Sequence, residues 1–146
     1  MQVEVASAAG ARKLLLHVLA TTREGTTSAL IAAKRLTSGL DAQVVLLLPR
    51  LTYFGAPFDP AGEEKNTLIN EYRALAADLG VHVNVRFCVC QRYDDVVHQM
   101  LGPSSLLIVG GRKRAWRPTR EERLVSRLCA EGYPVVFARV GAHSRA

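Results

Sequence analysis

The residues with the most chemistry in them lie between Gly110 and Arg127. Gly110-Gly111 runs straight into Arg112, Lys113 and Arg114, and Arg117, Arg120, Arg123 and Arg127 follow. Only Glu121 and Glu122 oppose these seven cations, so this stretch carries +5 of a formal net charge of +6. Charge focused in this way attracts anions, whether phosphates, nucleic acid or acidic protein. Glycines at a strand exit also let backbone N–H groups approach a phosphate, and the next helix N-terminus adds its positive end. A plainer reading stands beside this one: Gly-Gly alone is first a tight strand exit, and arginines along a helix face keep a surface solvated.

Elsewhere the chemistry is sparse. Cys88 and Cys90 are two apart on a strand pattern and share a face, but zinc would need two more ligands and no second cysteine pair has suitable spacing. They read as core residues, Cys129 on the last helix reads as packing, and no metal site is expected. His17, inside the first strand, reads as buried and hydrogen-bonded, while His82 and His98 read as surface or edge residues. Neither a Gly-x-Ser-x-Gly elbow nor a Gly-x-x-x-x-Gly-Lys-Ser/Thr loop occurs. No catalytic residues are therefore expected, and the chain does not read as an enzyme.

The elements that must position the basic segment follow from hydrophobic periodicity. Lys13–Leu19, Gln43–Leu48, His82–Val89, Ser105–Val109 and Pro134–Val140 are apolar or alternating runs of strand length, with Pro49 closing the second and Gly110-Gly111 closing the fourth. Continuous apolar runs suit strands covered on both faces. Between them lie helical patterns: Thr26–Leu36 with Ala29, Ala32, Ala33 and Leu36 on one face, Glu63–Leu79, Tyr93–Leu101 and Thr119–Glu131. Gly39 and Gly80 are the expected stops, and Thr119 with Glu122 makes a capping box. Strict alternation of strand and helix predicts a parallel sheet with right-handed crossovers and helices on both faces. In such sheets ligands bind beyond the carboxyl ends of the strands. Two loops qualify: Ala20-Thr21-Thr22 after strand one, and Gly110 to Arg117 after strand four.

The whole chain bounds these readings. Its 146 residues fit one domain, 1–146 with a core of about 13–140, and 49% apolar composition argues against disorder. Three cysteines, an odd number, suit a reducing, cytoplasmic compartment. The start, carrying Glu4 and no basic cluster, does not read as a signal peptide, and the apolar runs are too short to span a bilayer. The tails 1–11 and 141–146 read as loose, and the irregular stretch Pro49 to Gly62 as a long loop.

The segment LLIVGGRKR, with the order and lengths of the elements, resembles the fourth strand and following loop of universal stress proteins, over about Lys13 to Val140. The resemblance implies an α/β, Rossmann-like three-layer sandwich of the adenine nucleotide alpha hydrolase-like kind, with sheet order 3-2-1-4-5. Members that bind ATP carry Gly, two residues, Gly, nine residues, then Gly and Ser or Thr, together with an Asp ending the first strand. Here Gly110 matches the first glycine, Lys113 stands at the second, Glu121-Glu122 falls where Gly-Ser would be, and strand one ends in Leu19-Ala20-Thr21 without an Asp. A lysine cannot make a glycine-only turn cheaply, and two carboxylates repel a triphosphate. Arg112, Lys113 and Arg114 instead offer side-chain phosphate binding.

The resulting expectation is a non-catalytic regulatory or stress-response module without a tightly bound cofactor. The alternative is a member that binds ATP or AMP through the basic loop, and a nucleic-acid-binding domain ranks third. The candidate anion or nucleotide residues are Thr21, Thr22, Gly110, Gly111, Arg112, Lys113 and Arg114. Trp116, the single tryptophan, is expected to fold back over the sheet end and fill the space of an adenine rather than stack on a base. The last strand, Val135, Val136, Phe137, Ala138, Arg139 and Val140, is an edge in the expected order, apolar and β-prone, and predicts a homodimer, the more so because universal stress proteins commonly pair through it.

Overall fold

The computed structural model describes residues 14–51, 63–102 and 105–141. Five strands alternate with four helices: β1 (Leu14–Leu19), α1 (Arg23–Thr37), β2 (Ala42–Leu51), α2 (Glu63–Asp78), β3 (Val83–Cys90), α3 (Tyr93–Met100), β4 (Leu106–Gly111), α4 (Arg120–Ala130) and β5 (Val135–Arg139). The sheet is parallel throughout and ordered β3-β2-β1-β4-β5, as the resemblance implied. The tails and the 52–62 part of the long loop lie outside the described residues.

The period of two along each strand sorts the core into two layers. Leu16, Val18, Leu46 and Ile108 face α1 and α2, packing on Ala29, Leu30, Ala33 and Ala76. Leu19, Val45, Leu47, Leu107 and Val109 face α3 and α4, packing on Val96, Val97, Leu124 and Leu128. Cys90 is buried and Cys88 half-buried in that second layer, as core cysteines should be. Burial, with Asp95 and Cys88 adding to it, pushes the Cys90 thiol up to about 11, so it stays protonated at neutral pH. His17 is buried on the same face and held neutral, its pKa lowered first by burial and then by Arg86. Its Nδ1 has no hydrogen-bond partner, contrary to the expectation of a satisfied core histidine.

Several boundaries differ from the sequence reading, each for a local reason. Helix α1 begins at Arg23 rather than Thr26, because the Thr22 side chain caps it by accepting from the Gly25 N–H at 2.9 Å. Its buried face carries Leu30, while Leu36 is 43% exposed in the last turn. Pro49 does not end β2. The Leu47 carbonyl accepts from Ala20 N–H at 2.9 Å, so odd positions of β2 turn their backbone groups toward β1, which pairs no further than Leu47. Pro49 is the next odd position, where no strand asks for an N–H. Cys129 is exposed on α4 rather than packed. The expected stops hold: Gly39 and Gly80 take φ of +75° and +76°.

Gly110 and Gly111 are buried inside β4, paired with Ala138 and Arg139, rather than forming a loop after it. They face opposite layers, and each lets a helix come close. A Cβ on Gly110 would run into the carbonyl of Gly25 in the first turn of α1. One on Gly111 would lie 2.7 Å from Glu121 Cβ in the first turn of α4. The Thr21 hydroxyl closes the α1 contact by donating to the Gly110 carbonyl at 2.8 Å. Gly110→Ala must push backbone against backbone, so it should lower unfolding free energy by at least about 2 kcal/mol, the range of overpacked cores. Urea denaturation measures this, and a loss under about 0.5 kcal/mol would mean that α1 does not press on β4.

Candidate functional site

Beyond the carboxyl ends of β1 and β4 lies a cleft of about 520 Å³, between the first turns of α1 and α4. Two capping arrangements build its walls. On the α1 side, Thr22 is the N-cap, and the Thr26 hydroxyl both donates to the Thr22 carbonyl at 2.7 Å and accepts from Thr21 N–H at 3.0 Å. On the α4 side the expected capping box forms: Thr119 N–H donates to Glu122 Oε1 at 2.9 Å, and Glu122 N–H donates to Thr119 Oγ1 at 3.2 Å. The Thr119 hydroxyl donates in turn to the Arg112 carbonyl at 2.8 Å, tying the end of the basic loop back to its start.

Five arginines line this cleft, Arg112, Arg114, Arg117, Arg120 and Arg123, against two glutamates, Glu24 and Glu121. They are not equivalent. Arg112 pairs with Glu24 at 2.8 Å. Arg120 reaches Glu121 at 3.5 Å and lies over the Tyr93 ring, 5.9 Å from its centre. Arg114, Arg117 and Arg123 pair with no carboxylate among the described residues. Glu122, the second carboxylate that opposed the basic run in sequence, is committed to the cap, and the Thr119 N–H lowers its pKa, so it remains charged. Arg127 is drawn away altogether. Its guanidinium donates twice to the buried Asp94 of α3, at 2.9 and 3.1 Å, and this fork holds the Asp94 carboxyl below the usual carboxylate range.

The candidate residues thus separate into three groups. Thr22, Arg112 and Arg114 line the cleft. Thr21, Gly110 and Gly111 lie beneath it, engaged in the contacts between helix and strand. Lys113 is exposed outside the lining. Trp116 does not fold back over the sheet: it is 97% exposed. Arg117, Arg120 and Arg123 belong to the lining but were not among the residues singled out as ligands. Their one signal in sequence is the spacing of three, which puts Arg117 just ahead of the helix and Arg120 and Arg123 on one side of its first turns. Among the described residues no cluster of His, Cys, Asp or Glu suits a metal ion, and no helix is long and apolar enough to cross a membrane.

The fold has counterparts among solved structures. A member of the universal stress protein family from Burkholderia pseudomallei superposes with a TM-score of 0.56 at 17% identity, covering 84% of this chain and 93% of the other. A universal stress protein in complex with cAMP gives 0.59 at 14% identity over 88% and 98% of the two chains. A universal stress protein from Archaeoglobus fulgidus in complex with dAMP gives 0.55 at 11% identity over 87% and 98%. At these identities the likeness is one of fold, and the fold is that of the universal stress proteins. No protein-family model and no curated protein matches the sequence.

Glu24 competes for Arg112 with any anion that enters. Both side chains are more than half exposed, so the pair is weak and screened. Glu24→Gln should therefore raise inorganic phosphate affinity about two- to fivefold. Phosphate-dependent thermal shifts measure this, and an unchanged or reduced affinity would remove Glu24 from the site.

Proposed function

We propose that this chain is a non-catalytic regulatory module of the universal stress protein type, whose cleft takes an anionic ligand through arginine side chains and does not hold ATP tightly. One observation carries the reading. The glycines that would let a pyrophosphate approach the backbone are built into β4, while guanidinium groups line the cleft above them. Arginine binds phosphate by directed side-chain donors and needs no backbone nest. Two structural neighbours are complexes with the phosphate-bearing ligands cAMP and dAMP. They support a phosphate-bearing ligand here, and they favour the second reading, a nucleotide held in this cleft.

Calorimetry with ATP, AMP and inorganic phosphate separates the two. The leading reading expects no micromolar binding of either nucleotide. It also expects phosphate-dependent stabilisation on heating, which the combined Arg114→Ala, Arg117→Ala and Arg123→Ala variant loses. Micromolar ATP or AMP binding would establish the second reading instead. A parent protein that phosphate does not stabilise would end both the cleft's anion role and the proposal.

A homodimer through β5 belongs to the same proposal. β5 is an edge of the sheet. The Pro134 carbonyl and the Val140 N–H point to β4, so the backbone groups of Val135, Phe137 and Arg139 face away from it. Val136 is 36% exposed beside them. Two copies of such an edge are self-complementary and close on each other. Light scattering at high micromolar concentration should give twice the chain mass. Phe137→Pro removes an outward N–H without touching the β4 ladder, so it should give a folded monomer. A monomeric parent, or a variant that still dimerises, would refute the pairing.

A further inference from the structure

We infer that the basic loop between β4 and α4 docks single-stranded nucleic acid, with Trp116 stacking on an unpaired base while Arg114, Arg117 and Arg123 hold the phosphodiester backbone in the adjoining cleft. This rests on the anion role proposed for that cleft and adds its ligand class. Three observations converge. Trp116 is 97% exposed, whereas the other large apolar side chains among the described residues are mostly drawn into the two core layers. It sits between Arg114 and Arg117, two of the three lining arginines that no carboxylate among the described residues engages. The cleft is concave and carries five arginines against two glutamates.

Each part selects against another partner. Stacking needs a π-face at the ligand, which a free phosphate and an acidic peptide lack. It also needs an unpaired base, which a duplex does not offer. A concave cleft beside the aromatic suits a chain of phosphates passing through it. A membrane surface would call for a broader apolar face, and Trp116 is the only large apolar side chain exposed on this loop. Several weak phosphate contacts along one strand add up where a single nucleotide makes few, so the inference is compatible with the weak ATP binding proposed above.

The sequence supplies its own reporter, because Trp116 is the only tryptophan. Titrating the full chain with a single-stranded oligothymidylate of about 12 nucleotides, within the usual range of site sizes, should quench its fluorescence. With about three phosphates neutralised, log affinity should fall against log salt with a slope of about −2, and the triple alanine variant of Arg114, Arg117 and Arg123 should abolish binding. Trp116→Ala should weaken oligonucleotide binding, followed by anisotropy of a labelled strand, at least about fivefold. It should leave phosphate-dependent thermal stabilisation unchanged, and Trp116→Phe should restore much of the loss. Phosphate stabilisation without oligonucleotide binding would overturn this inference and leave the anion cleft standing. Loss of both would overturn both. Equal or tighter binding of the duplex, of polyglutamate or of vesicles rich in phosphatidylserine would assign the loop to that partner instead.

Discussion

The cleft depends on the close approach of two helix starts to the end of one strand. Strand β4 ends in two glycines that face opposite sides of the sheet, and a helix N-terminus is pressed onto each. Gly25 of α1 meets Gly110, and Glu121 of α4 meets Gly111. Without side chains at these positions, both helices start close to the strand end, and their capping threonines come with them. The Thr21 hydroxyl then satisfies the Gly110 carbonyl, which would otherwise be crowded by α1. The cleft exists because two helix starts flank one strand end at this spacing. The glycines shape the floor of the site and are not themselves open to a ligand.

The electrostatics of the cleft are set by which arginines the fold removes from circulation. Arg127 is bound in a two-point fork by the buried Asp94, so it joins α3 to α4 and contributes little to the cleft field. Arg112 and Arg120 are each balanced by a neighbouring carboxylate. What is left is the loop and first turns of α4, where Arg114, Arg117 and Arg123 line the cleft without carboxylate partners among the described residues and Trp116 is exposed on the same loop. A run of like charges in sequence has become a structural ion pair at one end and an arginine-lined cleft at the other. Repulsion among the remaining guanidinium groups is tolerated because they are well solvated.

Much of the fold was legible because burial has a period. Five apolar runs separated by helical stripes leave little choice but a parallel sheet covered on both faces, and the capping box at Thr119 and Glu122 is local enough to be read directly. Less of the site was legible. Thr22 was marked as a ligand residue and turns out to cap α1 while also lining the cleft. Pro49 looked like a stop because proline lacks an N–H, but that loss matters only where a neighbouring strand offers a carbonyl, and the length of β1 decides that.

The sequence by itself determined the class of fold, the order of its elements, the concentration of positive charge after strand four and the absence of a glycine at position 113. These are properties of composition and local spacing, and they survive without knowing what touches what. Only the tertiary structure decided that Gly110 and Gly111 serve helix approach, that Arg127 belongs to Asp94, and that Trp116 stands in solvent. The first two depend on partners distant in the chain, Gly25 for Gly110 and Asp94 for Arg127, and the third on how the folded surface leaves Trp116 97% exposed. Long-range pairing is set by how the layers stack, and no single stretch of residues contains that information.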